Sequence, residues 1–281
     1  MELLKVDHLS KNYEKFSLKE VSFKLEKGYI MGFIGSNGAG KTTTLKSIVN
    51  MIHTDGGSIE VCGKDFKKNE FECKQEIGVV LGGIDYYPRK KLKVITSVVK
   101  KFYREWDETL YQEYIKRFDL DEEKKVNELS AGMKVKYSLA LALSHNSKLL
   151  ILDEPTSGLD PVSRDNLIEL FQELIESGER SILFSTHITS DLEKCADFIT
   201  YIKKGEILKS DEKEAFLNSY LVVGGKSEQL TEELKRKLIG YKKNSFGFTG
   251  LLLSQDISLA DELEQAPADL ETIMIYHEKE K

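Results

Sequence analysis

The sequence predicts an α/β fold with an open, largely parallel sheet, and three observations carry that prediction. Residues 29–34 form a short apolar run suited to a buried strand, and the glycine-rich stretch GSNGAGKTT (residues 35–43) follows at once. Residues 42–52 then continue with Leu45, Ile48, Val49 and Ile52 on one helical face. A second apolar run, residues 148–152, ends at Asp153-Glu154-Pro155, where the proline stops a strand. A third, residues 181–185, ends at Thr186-His187. Open α/β sheets place ligands at the carboxyl ends of their strands, and here those ends carry the chemically distinctive residues.

The glycine stretch fits G-x-x-x-x-G-K-[ST], with Gly35, Gly40, Lys41 and Thr42 in the fixed places and Ser36, Asn37, Gly38 and Ala39 between them. Strand, glycine loop and helix are the context this motif requires. Backbone N–H groups and the positive helix end make a seat for phosphates. Lys41 would reach the β- and γ-phosphates as a point charge, the Thr42 hydroxyl would bind Mg²⁺, and Thr43 closes the loop.

Taken in order, residues 3–9 and 18–25 read as two alternating strands, separated by a polar stretch holding Tyr13. That ring is either an ordinary surface tyrosine or a platform for a base, stacking being worth ~1–3 kcal/mol in nucleic-acid systems. Residues 58–61 read as a strand, 71–75 as a short helix and 77–81 as a buried strand ending in Gly82-Gly83. Residues 94–120 carry a helical pattern rich in aromatics, read as packing residues, within a helical subdomain at about 85–145. Residues 129–144 form an apolar helix opening with LSAGM, and 162–177 an amphipathic one with Leu167, Leu170, Phe171, Leu174 and Ile175 inward. A short helix at 192–196 precedes a hairpin around Lys203-Lys204-Gly205-Glu206. Beyond Ser210 the character changes: strands at 221–223, 247–249 and 251–254 and helices at 230–238 and 267–277 suggest a small α/β appendage. Pro267 suits a first helical position.

Composition sets the class. At 281 residues, with 40% hydrophobic and 31% charged residues, the chain reads as a soluble globular protein. The net charge of −6 gives no general reason to bind nucleic acid. Cys62, Cys73 and Cys195 form no C-x-x-C, which suits a reduced compartment. No secretory signal is evident, and no apolar run approaches the ~20 residues that span a bilayer. A cytoplasmic protein is expected.

Asp153 supplies a carboxylate that can hold Mg²⁺, Glu154 can act as base toward an attacking water, and His187 can hydrogen-bond the γ-phosphate or that water. The set GSNGAGKTT, LSAGM, LLILDEP, SGLD and STH, in this order over residues 3–210, resembles the nucleotide-binding subunit of an ATP-binding cassette (ABC) transporter. The stretch from LSAGM through SGLDP resembles the bacterial subgroup that exports antimicrobial peptides and drugs.

That resemblance implies a P-loop NTPase core with an antiparallel β subdomain and a helical subdomain over residues 1–210, and an accessory unit over 211–281. It implies ATP and Mg²⁺, and a homodimer or heterodimer with a second nucleotide-binding subunit. It also implies an integral-membrane permease in a separate chain, which would hold this subunit on the inner face of the membrane. Tyr13 then takes the adenine-stacking place, Asp160 the subunit seam, and Ser130, Ala131 and Gly132 face the γ-phosphate of the partner's ATP. Ser130 would cap a helix whose positive end meets that anion. Ala131 and Met133 are mild departures from the family signature. Gly82 stands where the family has a glutamine that touches Mg²⁺ and water, and Gln75 precedes the strand. Two other readings stay open: a soluble ABC ATPase without a transport partner, and a nucleotide-dependent regulator with weak hydrolysis.

Overall fold

In the computed structural model, which describes residues 1–82 and 87–279, the alternating N-terminal runs pair as β1 (Glu2–Asn12) and β2 (Ser17–Glu26). The all-buried β3 (Ile30–Ile34) leads into the glycine loop and α1 (Lys41–Ile48). This helix ends earlier than its apolar pattern suggests, because Asn50 turns left-handed (φ 58°) and the chain leaves the axis before Ile52. β4 (Gly56–Val61) and β5 (Lys64–Asp65) complete an antiparallel sheet in the order β2-β1-β4-β5.

α2 (Glu70–Gln75) and β6 (Ile77–Leu81) follow, then the helical region with α3 (Leu92–Val99), α4 (Glu108–Arg117) and α5 (Ala131–Leu143). The continuous helical pattern expected over 94–120 is broken. A 3₁₀ turn at Lys100–Phe102 and extended Tyr103 end α3, and the Asp107 side chain accepts from Leu110 N to start α4 afresh. Gln75 fixes the break, its Nε2 donating to the Phe102 carbonyl at 3.0 Å and its Oε1 accepting from Arg104 N at 2.9 Å. Most of the aromatics there do pack inward, Tyr111 and Phe118 being buried, but Phe102 is 66% exposed.

β7 (Leu149–Asp153), α6 (Pro161–Ile175), β8 (Ser181–Thr186), α7 (Thr189–Cys195), β9 (Phe198–Lys203) and β10 (Glu206–Glu212) complete a six-stranded sheet, β10-β9-β3-β8-β7-β6. It is parallel from β9 to β6, with antiparallel β10 at its edge. The registers Ile34↔Thr186 and Asp153↔Ser185 bring the strand ends carrying the glycine loop, the two acids and the histidine to one level.

The remainder contains α8 (Lys213–Asn218), β11 (Tyr220–Gly225), α9 (Glu232–Lys237), β12 (Gly240–Asn244), β13 (Gly247–Leu253), β14 (Glu264–Pro267) and α10 (Leu270–Glu278). A third sheet, β12-β13-β11-β14, is formed. The two short strands expected at 247–254 are one. Pro267 ends an edge strand rather than opening a helix, and α10 starts three residues later, where Asp269 accepts from Thr272 N at 2.7 Å. This region has its own small core (Val223, Leu234, Phe248, Leu252), but it also feeds the main one. Phe216, Leu270, Ile273 and Tyr276 belong to the same buried cluster as Ile34 and Tyr201.

Candidate nucleotide site

Two glycines of the loop, Gly35 and Gly40, sit where close neighbours leave no room for a side chain. A Cβ on Gly35 would lie 2.3 Å from the Ile202 carbonyl oxygen. Gly40 sits at φ 117°, and a Cβ there would meet Leu18 at 2.8 Å. Gly40 opens α1 with no side-chain cap, and no acid lies in the first turn, so the helix end faces the loop with its N–H groups unmet by side chains.

Lys41 is 6% exposed and folds back onto the loop, its Nζ donating to the carbonyls of Gly35 at 2.7 Å and Ser36 at 3.2 Å. Burial lowers its pKa, opposed by the carboxylates of Glu154, 3.8 Å away, and Asp153. An anion in the loop would restore the full advantage of its charge.

Thr42 Oγ1 donates to Asp153 Oδ2 at 2.7 Å, joining the start of α1 to the end of β7. Asp153 is buried, and its other oxygen accepts from the Ser185 hydroxyl on β8. Ser185 also receives the Glu154 N–H on its carbonyl at 2.9 Å. Glu154 holds a left-handed backbone (φ 50°) that turns its side chain out of the strand line. Its Oε2 lies 2.8 Å from His187 Nδ1. A cavity of about 650 Å³ is bounded by the loop, Thr42, Thr43, Glu154 and His187. That volume lies within the usual range for small-molecule sites.

The oxygen pair of Thr42 and Asp153 fits Mg²⁺, a hard cation that takes one or two protein ligands and completes its shell with phosphate oxygens and water. Among the described residues no group of three or more His, Cys, Asp and Glu side chains could hold a metal by itself. The donor set therefore suits a cation that arrives with a nucleotide.

Other expected residues lie elsewhere in the single chain. Tyr13 is 46% exposed and stacks on Phe16 at 6.4 Å; Phe16 and Lys15 border the cavity and Tyr13 does not. Ser130 caps α5, its Oγ accepting from Met133 N at 3.2 Å, with Ala131 and Gly132 in the first turn. Asp160 caps α6, accepting from Val162 N at 3.1 Å and Ser163 N at 3.0 Å, and hydrogen bonding to the Ser163 side chain, then to these backbone groups, lowers its pKa. None of these four borders the cavity. Gly82 donates its N–H to the Asp153 carbonyl at 3.3 Å and offers no side chain there, while Gln75 is committed to residues 102 and 104. Sequence reasoning missed Phe16 and Ser185. An aromatic three residues after Tyr13 was the available signal for the first; a serine inside an apolar strand was the signal for the second.

The comparisons decide the family. A family model described as "ABC transporter" matches residues 18–157. The ABC transporter ATP-binding protein YtrB of Bacillus subtilis (strain 168) is 32% identical over 206 residues, 73% of this chain and 70% of that protein. The chain belongs to the ABC transporter ATP-binding proteins. The bacitracin transport ATP-binding protein BcrA of Bacillus licheniformis is 32% identical over 210 residues, 74% of this chain and 69% of its own. An ATP-binding subunit of an ABC transporter superposes with a TM-score of 0.68 at 26% identity, covering 76% of this chain and 91% of that one. A dimeric ATP-binding cassette in a post-hydrolysis state with ADP and Pi shares the fold, with a TM-score of 0.66 at 22% identity over 74% and 98% of the two chains. This ABC subunit is an ATPase, and its cofactors are ATP and Mg²⁺. Among the described residues no helix is long and apolar enough to cross a membrane.

Proposed function

We propose that the subunit powers a separate integral-membrane exporter of peptides or drugs. The convergence of Thr42, Glu154 and His187 on one cavity, with Asp153 bonded behind Thr42, carries the hydrolytic part of this reading. Lys41 and the loop from Gly35 to Thr43 bind the phosphates, Thr42 and Asp153 hold Mg²⁺, and Glu154 accepts the proton of the attacking water. His187 orients Glu154 or the γ-phosphate. Bound Mg²⁺ supplies charge neutralisation on the phosphates. Ser130, Ala131, Gly132 and Asp160 act at the matching site of a second subunit, which accounts for their distance from the cavity. Tyr13 and Phe16 together offer a stacked pair to the adenine. Residues 211–281 form an accessory unit that supports assembly or coupling.

The export direction is supported by relatives named for bacitracin transport and linearmycin resistance, matched over 69% and 68% of their lengths. A carnitine transport relative is matched over 57% of its own. The membrane partner is supported by an apolar groove of about 340 Å³ beside β6 and α5, reached by Val79, Leu81, Val99 and Tyr103. Val98 and Phe102 stand exposed on the same helical region. Tyr86 and Tyr87, which follow Gly82-Gly83 in sequence, suit either a permease contact or packing under the helical region; Tyr87 is 66% exposed and Tyr86 lies outside the described residues. Docking there would hold the subunit on the inner face of the membrane. Co-purification with a multi-span membrane protein, lost in a folded Val98→Asp, Phe102→Asp variant that keeps basal ATPase, tests the partner. Retained association overturns this docking face. Loss of peptide or drug tolerance on deleting the chain tests the cargo; unchanged tolerance favours the reading without export.

A further inference from the structure

Asp191, in the first turn of α7, is 3% exposed, and its Oδ2 has no hydrogen-bond partner. Across the seam between α6 and α7 lies Arg164, whose Nε is 4.0 Å from Asp191 Oδ1 and is also buried without a hydrogen-bond partner. A buried carboxylate and a buried guanidinium nitrogen that face each other just beyond bonding distance form a costly arrangement. Around them the seam is fastened. Lys194 donates to Asp165 at 2.6 Å, and Gln172 donates to the Lys194 carbonyl at 3.1 Å. The open pair is therefore a local feature of an otherwise closed contact, and a small slide of one helix would bring it within about 3 Å.

Its place in the fold gives the slide a consequence. Asp160 begins α6 and accepts the Arg164 N–H on its carbonyl at 3.0 Å, so the guanidinium stands one turn behind the loop that carries Asp160. α7 begins two residues after His187, and Ile188 N is held by the Thr186 hydroxyl at 3.0 Å. Each partner thus sits on a helix whose first residue is tied to one part of the site.

We propose that Arg164 and Asp191 are a positioning pair. They close into direct contact when nucleotide is seated and set the pose of His187 relative to the Asp160 loop. This rests on the roles proposed above for His187 and Asp160. An acid in the first turn of a helix also gains from the helix dipole. A purely structural role therefore predicts a loss of stability with no kinetic signature.

The test uses Asp191→Asn and Arg164→Gln, singly and together, in the full chain, with steady-state ATPase and thermal unfolding measured on each. Each single change is expected to lower kcat about tenfold while KM for ATP stays within about twofold. The double variant should fall no further than the weaker single one, because both changes remove the same contact. Losses that multiply in the double variant overturn the proposal. So does kcat within twofold of the parent, with or without a lower unfolding temperature. If Arg164→Gln fails to fold, Arg164→Met, which keeps the stem and removes the charge, is judged by the same criteria. His187→Ala is assayed alongside. Full turnover there removes the role of His187 and the proposal with it, whereas a kinetically silent pair beside an impaired His187→Ala overturns the proposal alone.

Discussion

Two helix starts in this chain are built from similar materials and end in different states. α1 begins at Gly40, whose φ of 117° excludes ordinary side chains and which supplies no side-chain cap. α5 begins at Ser130, whose hydroxyl already accepts a bond from Met133 N. Neither has an acid in its first turn, whereas α2, α4, α9 and α10 all do. Both therefore keep their positive end unneutralised. The first is open to an anion from within its own chain. The second has satisfied part of itself and faces outward, so an anion there must arrive from another molecule and compete with a serine.

Lys41→Ala should break the first half of this comparison most severely. It removes a buried charge from the open helix end, and turnover should fall by two to three orders of magnitude, about 3–4 kcal/mol of transition-state stabilisation. Undiminished ATPase would refute the phosphate loop's role. Glu154→Gln is expected to lower turnover ~10²–10⁴-fold while ATP affinity stays within a few-fold, the amide keeping the shape and losing the base. In that variant ATP should also slow amide exchange at Met133, as the second helix end becomes engaged. Sedimentation as a monomer at high concentration with ATP would remove the two-subunit site.

Ser130→Ala sharpens the contrast at lower cost. Loss of the cap should cost about 1 kcal/mol in stability. An additional drop of about tenfold in kcat, with ATP binding to the isolated subunit unchanged, would mark a role beyond capping. Stability loss alone would reduce Ser130 to a helix cap. The smallest effect separates the two rings proposed to receive the adenine. Phe16→Leu should weaken ATP binding by ~1–3 kcal/mol and Tyr13→Leu by less, because only Phe16 borders the cavity. In titration calorimetry, equal losses would fit a platform shared by both rings, and the reverse order would return it to Tyr13.

The parts legible in sequence were those where one physical demand dominates. The all-buried β3, β7 and β8 are built on the apolar runs at 30–34, 149–152 and 182–184, and Gly35 and Gly40 answer contacts that leave no room for a side chain. What escaped were elements set by distant partners. The helical pattern over 94–120 is cut because Gln75, far back in the chain, holds residues 102 and 104. β12 (GYKKN) and β14 (EQAP) are edge strands with mostly exposed side chains, so neither shows an alternating apolar pattern. Ser185 looks like a strand filler until the register places it opposite Asp153.

The contact between α10 and β9 bears on the order in which the molecule can assemble. Tyr201 stands opposite Ile34, the last residue before the glycine loop, and His277 packs edge-on against its ring at 5.3 Å. The Lys203 ammonium donates to the His277 carbonyl at 2.7 Å, across 74 residues of sequence. Closing a loop of that length costs about 4 kcal/mol in chain entropy before any contact rewards it. The parallel pairs among β3, β8 and β7 need no part of α10, so they can form while the flank of β9 is still bare. The β3–β8 pair spans more sequence than the α10 contact, so loop length alone does not order the two; α10 comes second because the Tyr201 face it packs on exists only once β9 has paired with β3. During refolding, a phase that buries Tyr201 should trail the phase that forms the parallel sheet, and nucleotide affinity should mature with the slower of the two.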